Sequence, residues 1–209
     1  PEDPHVTQDE SRLRLILEKR RGRAAELLAE LGIEPMDSQT ARDVTAAVKS
    51  VFAASIGVAE LTDTSLGRLL DIGTGTGTML HVLAPFAEHV VAVDHSRDMR
   101  LVARTSALAD GLVNCTVQDG DMYALDFADD TFDTITMDRV LGVAGHACEA
   151  VAEAARVLRP GGHLLIVETS LSGIDEQFLV GWLRAMGLVR IEIRHSADSL
   201  AFIALAEQP

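Results

Sequence analysis

The chain has 209 residues, 47% of them hydrophobic, with 18 basic against 32 acidic side chains and a net charge of −14. That is enough apolar material for one full core, or one domain with a small appendage. The acidic balance argues against DNA or RNA as a direct partner of the chain as a whole.

Cys115 and Cys148 are the only cysteines. They show neither a C-x-x-C spacing nor a companion cluster of His, so no disulfide framework and no metal site is expected. No apolar run reaches the ~20 residues that span a bilayer, and Pro1-Glu2-Asp3-Pro4 lacks the character of a signal peptide. The expectation is a cytoplasmic protein with no membrane partner. The missing initiator Met adds the expectation that the chain is a fragment of a longer one.

In chain order, Thr7 and Glu10 stand at capping-box spacing, and Leu13, Ile16, Leu17, Ala24, Leu27, Leu28 and Leu31 follow at helical intervals until Gly32 and Pro35. Arg12, Arg14, Lys19, Arg20, Arg21 and Arg23 give this stretch a basic, solvated face. A second helix runs from near Ser38 to about Gly57, with Val44, Ala47, Val48, Val51, Phe52 and Ser55 on one side. Residues 1–60 therefore read as a helical extension, either a lid or a dimerisation segment that would make a homodimer. Residues 61–209 read as the ligand-binding domain.

From Arg68 short apolar runs alternate with helical patterns, the grammar of a parallel sheet covered on both faces. Strands are predicted at 68–72, 89–94, 113–118, 133–138 and 162–168, and helices at 77–84, 96–109 and 146–158. Ser96 is placed to cap the helix at 96–109, and Gly161-Gly162 to make a sharp turn before the fifth strand. A helix at 175–186 follows. Two β-like runs between Val189 and Ala206, broken at Ser196-Ala197-Asp198-Ser199, predict a hairpin that adds an antiparallel edge.

The first strand closes on Asp71-Ile72-Gly73-Thr74-Gly75-Thr76-Gly77. Alternate glycines let a ligand approach the main chain closely, as a nucleotide-like cofactor requires. A dinucleotide fingerprint would need its third glycine at 78, where Thr stands, so the spacing disfavours a pyrophosphate grip and leaves an S-adenosylmethionine turn as the competing reading. Asp94 ends the second strand about twenty residues on, where a carboxylate can take both ribose hydroxyls or cap the next helix. Beyond the third strand, Asp121 is preferred to Asp119 for the exocyclic amine of an adenine.

Together, LLDIGTGTG, VVAVDHSRDM, QDGDMYALDFADDTFDTITMDRVL and ARVLRPGGHLLIVE resemble the motif series of class I S-adenosylmethionine-dependent methyltransferases, over roughly residues 68–168. The resemblance implies a Rossmann-like α/β fold: a doubly wound, seven-stranded, mostly parallel sheet with an antiparallel last strand, plus the N-terminal helical extension. It implies S-adenosylmethionine as cofactor and S-adenosylhomocysteine as product. Asp71, Gly73, Thr74, Gly75 and Gly77 would form the turn around the methionine and ribose, Asp94 with His95 would hold the ribose, and Met99, Gly120, Asp121 and Met122 the adenine. Met137 would lie under the sulfonium, and both Met99 and Met137 read equally as core residues. More narrowly, the chain resembles the methyltransferase-like domain of ArsR-type regulator fusions, in which a DNA-binding domain would precede it.

The chain departs from its relatives after the fourth strand, where Gly142-Val143 replaces an aromatic pair, and after the fifth, where Thr169 to Asp175 is short. The acceptor pocket is therefore expected to be reduced, or built from the helical extension. Asp138, Arg139 and His146 are the candidates for a base, with helix capping or mutual pairing as their alternatives. The two cysteines do not match the clustered thiols of arsenic methylases. The expected function is methyl transfer to a small-molecule acceptor; the alternative is a sensing domain of a transcriptional regulator that binds either nucleoside without turnover.

Overall fold

The computed structural model describes residues 38–55, 60–169, 171–195 and 201–209, and scattered helical positions between 12 and 30. The Thr7–Glu10 cap, the Gly32–Pro35 stop, Gly57 and the Ser196–Ser199 break lie outside the described residues. Helix α1 is Ser38–Ser55, and strand β1 is Arg68–Ile72. Then come α2 (Thr78–Leu83), β2 (His89–Asp94), α3 (Arg97–Ala109), β3 (Cys115–Asp119) and β4 (Phe132–Asp138). The chain continues through α4 (Ala147–Val157), β5 (Leu158–Thr169), α5 (Glu176–Ala185), β6 (Val189–His195) and β7 (Ala201–Glu207).

The seven strands lie in the order β3-β2-β1-β4-β5-β7-β6. All neighbours from β3 to β5 pair parallel, and β7 runs antiparallel to both β5 and β6. The predicted doubly wound α/β sheet is thus the observed one. Its order reverses between β1 and β4, so their carboxyl ends diverge and open a crevice there.

Apolar burial divides between the two faces of the sheet. On one, Val48, Val51 and Phe52 of α1 pack with Met79 and Leu80 of α2 and Ala103 and Ala107 of α3. On the other, Ala150, Val151 and Ala154 of α4 join Leu179 and Leu183 of α5.

Two details differ from the sequence expectation. The third strand starts at Cys115, because Asn114 turns its side-chain amide onto the Ala84 and Ala87 carbonyls, both at 2.9 Å, and Val113 is left exposed. The fifth strand begins at Leu158 and runs through Gly161-Gly162. Those glycines exchange backbone hydrogen bonds with Gln208 (2.8 and 3.0 Å) opposite a register shift at Phe132/Thr134. They bend a strand already paired. The predicted hairpin does add the antiparallel edge, with β7 interior and β6 outermost. The burial explains the order: Phe202 to Ala206 are buried consecutively, as a strand covered on both faces demands, whereas β6 has no buried residue.

Candidate functional site

The glycine turn at the end of β1 is tied to β2 on both sides. The Gly73 and Thr74 amides donate to the Val93 carbonyl at 2.9 and 3.0 Å, and the Gly75 amide donates to Asp94 Oδ2 at 2.9 Å. Gly75 sits at φ +53, and the nearest atom to a Cβ built there is 3.9 Å away, so its open face is free for a ligand. Gly77 serves differently. At φ +88 it precedes α2, and a Cβ on it would come within 3.3 Å of the Ala103 backbone, so this glycine lets α2 pack against α3.

Asp94 is buried and fully engaged with its own turn. Besides Gly75, its Oδ1 accepts from the Ser96 amide at 2.8 Å, and its carbonyl accepts from Arg100 at 2.7 Å. Ser96 itself accepts from the Met99 amide at 3.3 Å and caps α3, as its position predicts. A carboxylate held by two amides keeps lone pairs for two further donors.

On the facing side Asp121 Oδ1 accepts from the Tyr123 amide at 2.9 Å. Asp119 instead pairs with Arg100 at 2.5 Å.

These groups wall a cavity of about 1180 Å³ at the carboxyl ends of β1, β2 and β4. Of the predicted residues, Gly73, Thr74, Gly75, Asp94 and His95 line it from one side, and Met99, Gly120, Asp121 and Met122 from the other. Gly77 does not, for the packing reason given. Met137 does not either; it is wholly buried in the core, which is the plainer of its two readings.

Asp71 lies beneath the turn, 1% exposed, with Oδ1 accepting from Thr136 Oγ1 at 2.6 Å. Its Oδ2 and the Thr74 hydroxyl are buried without a hydrogen-bond partner of good geometry. Burial pushes the Asp71 carboxyl up to about 6, against the pull of the Thr136 and Thr74 hydroxyls.

Among the candidates for a base, Asp138 and Arg139 reach the cavity wall but pair with each other through two bonds of 3.0 and 2.9 Å. His146 is exposed at the N-terminus of α4, edge-on to Tyr123 and 3.6 Å from Glu149, and is not part of the wall. Cys115 is no nucleophile at neutral pH, since burial pushes its thiol up to about 11.

Several residues of the site escape a reading of spacing. Leu28 and Thr45 bring the N-terminal helical segment to the cavity, and Val143 lines it from the turn after β4. Buried Glu168, at the end of β5, accepts from the Leu141 and Gly142 amides at 2.8 and 3.3 Å and pins that turn; burial raises its carboxyl pKa. His81 and Ser106 meet across α2 and α3 on the same wall. Only His81 carried a signal in the sequence, as a polar residue within the apolar run Met79-Leu80-His81-Val82-Leu83.

The sheet order and the cavity at its switch point give the chain a Rossmann-like α/β fold, one shared with S-adenosylmethionine-dependent methyltransferases. Residues 70–166 match the family model described as a methyltransferase domain. A methyltransferase of Bacillus subtilis, YcgJ, is 36% identical over 101 residues, which are 48% of this chain and 40% of that protein. The ubiquinone/menaquinone biosynthesis C-methyltransferase UbiE of Dinoroseobacter shibae is 41% identical over 109 residues, 49% of this chain and 42% of that one. The chain thus spans less than half the length of these curated relatives. Among solved structures, an S-adenosylmethionine-dependent methyltransferase from Aquifex aeolicus superposes with a TM-score of 0.65 at 19% identity, over 82% of this chain and 98% of that chain.

Proposed function

We propose that the protein is an S-adenosylmethionine-dependent methyltransferase acting on a small molecule in the cytoplasm, with S-adenosylhomocysteine as product. The observation that carries this is Asp94. Its carboxylate is locked by the Gly75 and Ser96 amides in the wall of a cavity at the sheet's switch point, with Asp121 on the facing wall.

In this reading the free lone pairs of Asp94 accept from both ribose hydroxyls. Asp121 takes the exocyclic amine of the adenine, and Met99 and Met122 supply apolar contact to the ring. The open face of Gly75 leaves room for the methionine portion. Thr74, in the cavity wall with its hydroxyl lacking a partner of good geometry, adds a polar group to the turn. When bound, the cofactor supplies an electrophilic methyl group; the chain's task is to hold an acceptor in line within about 3–3.5 Å of it.

A cavity of about 1180 Å³ exceeds the roughly 300–1,000 Å³ usual for a single small-molecule site, which supports a second ligand beside the nucleoside. Leu28 and Thr45 support a lid role for the helical extension. The names of the relatives make a reduced quinone the first acceptor to assay.

The deciding experiment is calorimetric titration of the wild type and Asp94→Ala with both nucleosides, alongside methyl transfer to a panel of small acceptors. Stoichiometric binding, turnover on at least one acceptor and loss of affinity in Asp94→Ala are expected. Binding without turnover on any acceptor would replace the enzyme with a sensor.

A further inference from the structure

β2 and β3 finish side by side, with Asp94 opposite Asp119 in the register of the pair. Beyond that point their chains supply different parts of the cavity wall: Asp94 and His95 on one, Gly120, Asp121 and Met122 on the other. Arg100, in the first turn of α3, joins the two ends. Its Nη1 donates to the Asp94 carbonyl at 2.7 Å and lies 2.5 Å from Asp119 Oδ1.

Two observations set this contact apart from a surface ion pair. An exposed pair contributes little, and Asp119 is 77% exposed, but the Arg100 side chain is only 14% exposed. The second acceptor of Nη1 is the main chain of Asp94, whose carboxylate is already fixed by the Gly75 and Ser96 amides. Asp94 is thus held through its side chain by two amides and through its carbonyl by Arg100. On the neighbouring chain Gly120 runs close over β2: a Cβ on it would come within 2.7 Å of Val93 Cβ. Arg100 fastens that crossing one residue earlier, at Asp119.

We infer that Arg100 is a positioning residue for nucleoside recognition: it ties the ends of β2 and β3 so that Asp121 stands at the separation from Asp94 that one adenine nucleoside spans. This takes from the proposed function the roles of Asp94 at the ribose and Asp121 at the base. Arg100 is not itself in the cavity wall, so it acts through those two residues. Holding the ribose needs Asp94 alone, whereas choosing the base needs both carboxylates in place at once. Loosening the tie should therefore blunt the choice of base before it costs the ribose contact.

The test is calorimetric titration of S-adenosylhomocysteine and S-inosylhomocysteine, whose base carries an oxygen in place of the exocyclic amine, well below the melting transition of each variant. That oxygen would set acceptor against acceptor at Asp121, so the wild type should favour the adenosyl compound at least about tenfold. In Arg100→Leu the ratio should fall below about threefold, with S-inosylhomocysteine bound nearly as in the wild type. Asp119→Leu, at an exposed position, removes the anchor and should reproduce the fall; Asp119→Asn keeps an oxygen for Nη1 and should hold the ratio within about twofold of wild type. An arginine that merely braced the fold would lower the melting temperature and leave the ratio alone. A ratio unchanged in Arg100→Leu or in Asp119→Leu overturns the inference, and should Arg100→Leu not fold, Asp119→Leu decides it. Equal binding of the two compounds by the wild type overturns it as well, while the methyltransferase reading stands. If the wild type binds neither compound, both fall.

Discussion

Thr136 donates a hydrogen bond of 2.6 Å to Asp71 across the β1–β4 pair, and it is the only hydrogen bond of good geometry that the buried Asp71 carboxylate receives among the described residues. One hydroxyl cannot replace the hydration of a charge. Folding therefore makes Asp71 harder to ionise, with its pKa pushed up to about 6 from an ordinary 3.8.

The sign of the linkage follows. Between pH 4 and 6 the folded state holds a proton that the unfolded state has lost, so Asp71 lowers stability as pH rises through that window. A shift of this size amounts to roughly 3 kcal/mol by pH 7. Urea unfolding of wild type and Asp71→Asn at several pH values should show the difference between them growing in the variant's favour from pH 4 to 6 and flat above 7. A constant difference would show that Asp71 ionises freely in the folded chain.

Asp94→Asn tests whether the turn needs a carboxylate before any ligand arrives. Both its oxygens accept from main-chain amides, so an Asn must point its NH₂ at one donor. Losing a charge-assisted bond and opposing two donors should cost about 1–3 kcal/mol, read as a fall in the unfolding midpoint without ligand.

The two glycine substitutions should separate fold from binding. Gly77→Ala combines a left-handed backbone with a contact on the Ala103 backbone. It should lower stability by more than the roughly 1–2 kcal/mol of the backbone strain alone. Gly75→Ala meets nothing within 3.9 Å, so it should carry only the strain while its methyl group blocks the cavity. Thermal melts and nucleoside titrations of the pair should rank them in opposite orders.

Glu168→Ala removes the acceptor for the Leu141 and Gly142 amides and should destabilise the chain by about 1–3 kcal/mol, whereas Glu168→Gln keeps an oxygen in place. Hydrogen exchange at those two amides gives the local reading: it should speed up in the first variant and stay slow in the second.

The wall of the cavity at the ends of β1 and β2 was legible because its residues lie at strand ends, and strand ends are set locally. An apolar run closing on Asp94, or on Asp71 and three alternate glycines, announces itself in a few residues. The preference for Asp121 over Asp119 came from chemistry and was strengthened by the motif resemblance; the structure places Asp121 in the cavity wall and pairs Asp119 with Arg100. The wall formed by α2 and α3 was not legible, because it depends on which helix faces meet. His81 and Ser106 are 25 residues apart and touch only through the α2–α3 packing that Gly77 permits. Helical periodicity showed that each helix has an apolar face, without saying which polar side chain on one would find which on the other. The C-terminal hairpin was legible from alternation and turn signals, and its continuous apolar run from Phe202 to Ala206, buried on both faces, is what places β7 inside β6.

That position also sets an order of assembly. β6 precedes β7 in the chain but touches the sheet only through it, since β7 pairs with β5 from Ala201 to Glu207 and β6 pairs with β7. β6 therefore cannot join the sheet before β7: either β7 pairs with β5 first or the two enter together as a hairpin. Until β7 docks, β5 offers seven residues of unpaired backbone, His163 to Thr169, five of them buried in the finished fold. A nascent or partly unfolded molecule therefore exposes a long apolar edge ready to pair with another chain, and the rate of β7 docking governs how much of the protein escapes aggregation.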